Sequence, residues 1–136
     1  MPPEERIAIT ADGDVVTARS RARELADALG FSRTHQTVIA TAVSEIARNI
    51  VVYADKGEVV LRAEQADGRW GIVVVARDDG PGIPDVEQAL ADGYSTAGSL
   101  GVGLPGARRL MDRFDIDSEV GRGTTVTMTK WADRRG

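Results

Sequence analysis

The spacing of apolar residues changes several times along this chain, and each change predicts an element. Within residues 33–53, Val38, Ala42, Ile46 and Ile50, joined by Ile39 and Val43, recur three and four apart. That period puts them on one stripe of a long helix, with Ser32 as its cap. Upstream, a weak alternation over residues 6–11 predicts an edge strand. Asp14 is the expected cap of a first helix that runs to about Leu29 and stops at Gly30. Downstream, Asp55-Lys56-Gly57 reads as a turn, residues 58–65 as a strand, and Ala66-Asp67-Gly68-Arg69 as a hairpin connection. Residues 70–76 follow as a second strand. Its run Ile72-Val73-Val74-Val75 is bulky and β-branched, as a buried central strand requires.

After Asp78 the pattern breaks into glycines. A short helix at residues 86–91, a polar loop at 92–100 and a third helix over 102–114 are expected. Strands at 116–119 and 124–131, turned by Gly121-Arg122-Gly123, close the chain. Helices combined with a mostly antiparallel sheet predict an α+β sandwich.

Composition narrows the function classes. The 136 residues correspond to one domain, spanning 1–136, with no linker or internal repeat. Seventeen basic and 21 acidic residues give a net charge of −4, which argues against a nucleic-acid clamp. The absence of cysteine removes disulfides, iron–sulfur clusters and thiol nucleophiles. His35, the only histidine, nearly removes a zinc site and is expected at the surface or in the cap of the second helix. No apolar run approaches the roughly 20 residues of a bilayer span, and the N-terminus lacks a signal-peptide core. The expected location is the cytoplasm, with no membrane partner.

Seven of the 15 glycines fall between Gly80 and Gly106. Gly101-Val-Gly103-Leu-Pro-Gly106 matches a dinucleotide fingerprint, but no strand precedes it, so the βαβ setting is missing. Neither Lys56 nor Lys130 follows a glycine, which excludes a phosphate loop of the Walker type. Three clusters remain. Glu45 and Asn49 lie four apart on one helix face. The amide oxygen suits magnesium and the carboxylate suits a base for a hydroxyl proton; a solvated polar stripe has the same spacing. Asp78-Asp79-Gly80-Pro81-Gly82 follows the central strand, where a carboxylate can accept a hydrogen bond from an adenine amino group and glycines admit the ring; a plain turn reads the same way. Residues 98–106, including Gly98, Gly101, Val102 and Gly103, open into a helix whose free N–H groups can bind phosphates; a surface loop is the alternative.

In this order the three clusters resemble the GHKL superfamily of ATP-binding domains, which includes gyrase, histidine kinases and MutL. Glu45-x-x-x-Asn49 resembles its N box, Asp78-x-Gly80-x-Gly82 its G1 box, Gly101-x-Gly103 its G2 box, and Gly123-Thr124 its final glycine–threonine element. Glu-Ile-Ala-Arg-Asn-Ile-Val-Val-Tyr-Ala at 45–54 and Leu-Gly-Val-Gly-Leu-Pro-Gly-Ala-Arg-Arg-Leu-Met-Asp at 100–112 are similar to the RsbT-type serine/threonine kinases of the stressosome. The resemblance implies a Bergerat fold, a sheet covered on one face by helices, binding ATP and Mg2+. It implies Glu45 as catalytic base and Asn49 as magnesium ligand. Asp78 would read adenine with help from the Thr124 hydroxyl, and Gly80, Gly82, Gly98, Gly101, Val102 and Gly103 would shape the pocket and lid. Arg48 and Arg108 read as solvated helix arginines, with phosphate or partner contact as the alternative.

The implied function is an ATP-dependent kinase that phosphorylates STAS-domain scaffold or antagonist proteins and activates a PP2C-type phosphatase. Two alternatives stand beside it: an anti-sigma factor kinase that sequesters a sigma factor, and a non-catalytic module that ATP merely gates. Association into a homodimer is left open.

Overall fold

The computed structural model describes residues 4–54, 56–83 and 103–132. In chain order the elements are β1 (Glu5–Ile9), α1 (Asp12–Ala28), α2 (Arg33–Ala54), β2 (Gly57–Ala66), β3 (Arg69–Asp78), α3 (Gly103–Leu110), β4 (Arg113–Glu119) and β5 (Gly123–Trp131). The five strands form one sheet in the order β1-β2-β3-β5-β4, antiparallel at every pairing. This is the expected α+β sandwich. The expected helix at 86–91 and loop at 92–100 lie outside the described residues.

Alternation along the strands decides which side is covered. Val59 and Leu61 of β2, Ile72, Val74 and Ala76 of β3, and Val126 and Met128 of β5 point to one face and join the helices in the main core. From α2, Ile39, Val43, Ile46 and Ile50 enter that core, each at most 2% exposed. Val60, Val73 and Val75 form a second, small cluster of their own. Residues 71–76 of β3 are therefore buried without a break, as its apolar run predicts. By length and composition α2 would pass as a membrane span. Half of its most apolar window is buried within the fold, which makes it the core helix of a sandwich.

Two helix boundaries depart from expectation. Helix α1 starts two residues before Asp14, with Ala11 at its cap. Asp14 instead stands in the first turn and reaches back to accept the N–H groups of Thr10 (2.8 Å) and Ala11 (3.1 Å) and the Thr10 hydroxyl (2.9 Å). It is thus the returning half of a capping box, and Ala11 has no side-chain oxygen to supply the other half. The helix ends as expected at Gly30 (φ +86°), where Phe31 N–H bonds Ala26 C=O and Gly30 N–H bonds Asp27 C=O. Ser32 Oγ caps α2 through the His35 N–H at 3.1 Å.

Helix α3 is shorter than the predicted 102–114. It ends at Leu110, whose carbonyl accepts a hydrogen bond from Lys130 Nζ at 3.2 Å. Asp112 ties the turn to β5, donating its N–H to Thr129 C=O and accepting the Trp131 N–H. Phe114 belongs to β4, paired with Met128. The alternation Phe114, Ile116, Ser118 on the helix-facing side outweighs the helical continuation. The hairpin between β2 and β3 is a two-residue turn with Asp67 and Gly68 both at positive φ, the mirror-image turn that fits the strand twist.

Candidate active site

Helix α2 carries Glu45 and Asn49 one turn apart on one face. Glu45 is 7% exposed, unusual for a carboxylate, and both oxygens are occupied. Arg48 Nη1 donates to Oε1 at 3.0 Å, and the Gly103 N–H donates to Oε2 at 2.9 Å. Gly103 is the first residue of α3, so a buried anion already sits at that helix's N-terminus, where unpaired N–H groups and the helix dipole favour negative charge. Pro105 in the same turn costs no hydrogen bond, because first-turn N–H groups have no partner within the helix. Asn49 is half-buried. Arg48, expected to be solvated, is instead the ionic partner of Glu45 and keeps 39% of its side chain exposed.

The second cluster forms where β3 and β5 end. Asp78 pairs with Thr124 across the ladder, and both lie on the helix-covered face. Asp78 Oδ1 accepts the Gly80 N–H at 2.9 Å, which turns the chain out of the strand. Thr124 is buried and its hydroxyl lies 2.8 Å from Ser118 Oγ. Ser118 in turn accepts the Ile83 N–H at 2.7 Å, pinning the glycine-containing turn to β4. Ser118 was not singled out from sequence; its only signal is its phase on β4, which needs the strand start to be known.

The glycines of this turn have reasons of their own. A Cβ on Gly80 would stand 2.6 Å from the Ala54 Cβ at the end of α2. Gly82 backs against the Glu119 carbonyl. Their missing side chains admit these neighbouring protein atoms. The contact of Ala54 with Gly80 also orders the two clusters along α2. Glu45 and Ala54 are nine residues apart, about 13 Å at 1.5 Å rise per residue. The carboxylate with its helix N-terminus marks one end, and Asp78 with Thr124 marks the other. Of the expected site residues, Glu45, Asn49 and Gly103 come together at the first end, and Asp78, Gly80, Gly82 and Thr124 at the second. Gly98, Gly101 and Val102 lie outside the described residues, and Arg108 is exposed on α3.

Residues 8–130 match the family of the histidine kinase-like ATPase domain. The chain belongs to that family. It is 44% identical over 131 residues to the serine/threonine-protein kinase RsbT of Bacillus subtilis, covering 96% of this chain and 98% of that one. It is 35% identical over 102 residues to an anti-sigma F factor of Caldanaerobacter subterraneus, covering 71% of this chain and 70% of the relative. In fold it resembles the solved RsbU and RsbW domains of a Mycobacterium tuberculosis protein, with a TM-score of 0.64 and 22% identity. That match covers 98% of this chain, which spans only 34% of the longer one. A mycobacterial sensor histidine kinase, MprB, aligns with a TM-score of 0.57. The near full-length kinase match makes this member of the family an ATP-using serine/threonine-protein kinase of a sigma-factor regulatory system.

Proposed function

We propose that this kinase transfers the γ-phosphoryl group of ATP to a serine or threonine of a STAS-domain scaffold or antagonist protein, and then exchanges partners to activate a PP2C-type phosphatase in the cytoplasm. The observation that carries the transfer step is the buried Glu45 carboxylate beside the α3 N-terminus, one turn from Asn49. A hydroxyl entering beside Glu45 gives it the proton as its oxygen attacks the γ-phosphorus. The new O–P bond forms, the bond to the bridging oxygen breaks, and ADP leaves. At the other end Asp78 accepts the adenine amino group, Thr124 assists through its hydroxyl, and Gly80 and Gly82 shape the pocket. The assignment of Gly98, Gly101 and Val102 beside Gly103 on the phosphate side rests on the motif resemblance.

Among the described residues no cluster of three His, Cys, Asp or Glu can hold a metal ion by itself. Magnesium would arrive with the phosphates and take the Asn49 amide oxygen as a protein ligand. The ion would supply charge neutralisation of the triphosphate.

The test is transfer from labelled ATP to a STAS-domain protein of the same organism, followed by pull-down of the released kinase with a PP2C-type phosphatase. Wild type labels the partner; Glu45→Ala keeps ATP binding and loses about 10²–10⁴-fold in transfer rate. Full transfer by that variant removes Glu45 as the base, and an unlabelled partner removes the STAS substrate. The anti-sigma F relatives support a second reading, in which the kinase holds a sigma factor. Capture of a sigma factor in the same pull-down would put that reading first. The full-length kinase match favours both over a merely ATP-gated module.

A further inference from the structure

The two hydrogen bonds on Glu45 are unequal in kind. Arg48 is three residues away on the same helix and moves with it. The Gly103 amide belongs to another element, 58 residues on in the chain, and is one of the few unpaired donors at the start of α3. A carboxylate that accepts a hydrogen bond at each oxygen is a weaker base than one with a free oxygen, because both bonds stabilise its charged form. Meanwhile the amide it occupies is the kind of donor that a phosphate oxygen seeks.

We propose that Glu45 and the nucleotide's phosphates compete for the Gly103 N–H, so that the base is latched until ATP is present. This rests on the phosphotransfer reading above and adds an order of events to it. Without nucleotide, Oε2 caps α3 and the carboxylate is idle. A phosphate oxygen with its greater charge takes over the amide, and Oε2 is released to accept the proton of an incoming serine or threonine hydroxyl. Arg48 keeps its hold on Oε1 throughout, so the freed carboxylate stays aimed and does not drift to solvent. Arg48 is therefore a positioning residue, acting through Glu45. The arrangement makes the protein substrate the second reactant to be engaged chemically, and it keeps the apo enzyme from presenting a bare buried base.

The test compares ATP and adenosine affinity, by calorimetry, for wild type, Glu45→Gln and Glu45→Asp. Aspartate keeps the charge but is one methylene too short to reach the amide from α2. Both variants are expected to bind ATP about tenfold more tightly, since a competing charge-assisted hydrogen bond is gone, while adenosine affinity stays unchanged. Tightening by Glu45→Gln alone means simple charge repulsion and overturns the latch, as does equal ATP affinity in all three proteins. A second measurement needs no variant. In wild type, the Gly103 amide and Glu45 carboxylate resonances should both shift on addition of a non-hydrolysable ATP analogue and stay put with adenosine. Analogue binding that leaves both resonances still overturns the latch alone, whereas a wild type that binds no nucleotide overturns the phosphotransfer reading with it.

Discussion

Asp78 and Thr124 are direct partners across the β3–β5 ladder and share the helix-covered face, so a carboxylate and a hydroxyl meet at the sheet end that Gly80 and Ala54 close. The carboxylate has one oxygen committed to the Gly80 N–H, and Oδ2 has no hydrogen bond among the described residues. That free acceptor is what an adenine amino group would use.

Asp78→Asn tests it cleanly. The amide oxygen can still accept the Gly80 N–H, so the turn survives while the charged acceptor is lost. ATP affinity should fall about 10- to 100-fold, the equivalent of one hydrogen bond to a charged group. Calorimetric titration with unchanged affinity would remove Asp78 from adenine recognition.

Gly123 begins β5 at φ +105°, and a Cβ there would collide with the Asp78 carbonyl oxygen and stand 2.9 Å from the Asp79 Cα. Both obstacles are backbone and cannot swing aside. Gly123→Ala should destabilise the fold by about 1–3 kcal/mol through backbone strain and overpacking. It should also weaken ATP binding, by pushing Asp78 away from Thr124. Thermal melting paired with a nucleotide titration reads both effects, and an alanine variant that melts with wild type contradicts the close approach.

Asp14 supplies the pH dependence. The Thr10 N–H and then the Thr10 hydroxyl hold its carboxyl below the ordinary aspartate value; desolvation opposes them, and the Ala11 N–H lowers it least. The folded state therefore binds its proton less readily than the unfolded chain. Its stabilising contribution is complete above the unfolded value, about pH 4, and is lost as pH falls through the lower, folded one. Denaturant midpoints of wild type and Asp14→Ala should differ at pH 7 and draw together as pH falls below the ordinary aspartate range. A gap that persists at low pH would point to helix propensity and away from the cap.

Much of this protein is legible in local spacing. The three- and four-residue period of α2, the β-branched run of β3, the Asp67-Gly68 turn and the stop at Gly30 each depend on neighbours a few residues away, and each appears where expected. The same holds for Glu45 with Asn49, which share a helix face by spacing alone. Tertiary structure decided the rest. Nothing near Phe114 says that α3 has already ended, because its place is set by pairing with Met128 on a strand formed later in the chain. Nothing near Glu45 says that its second oxygen meets Gly103, and nothing near Ser118 says that it will hold both Thr124 and the Ile83 N–H. Local periods record how one element turns or pleats, and they carry no register between elements. Which donors meet which acceptors across this sheet and its helices is fixed only when the whole apolar face is buried at once.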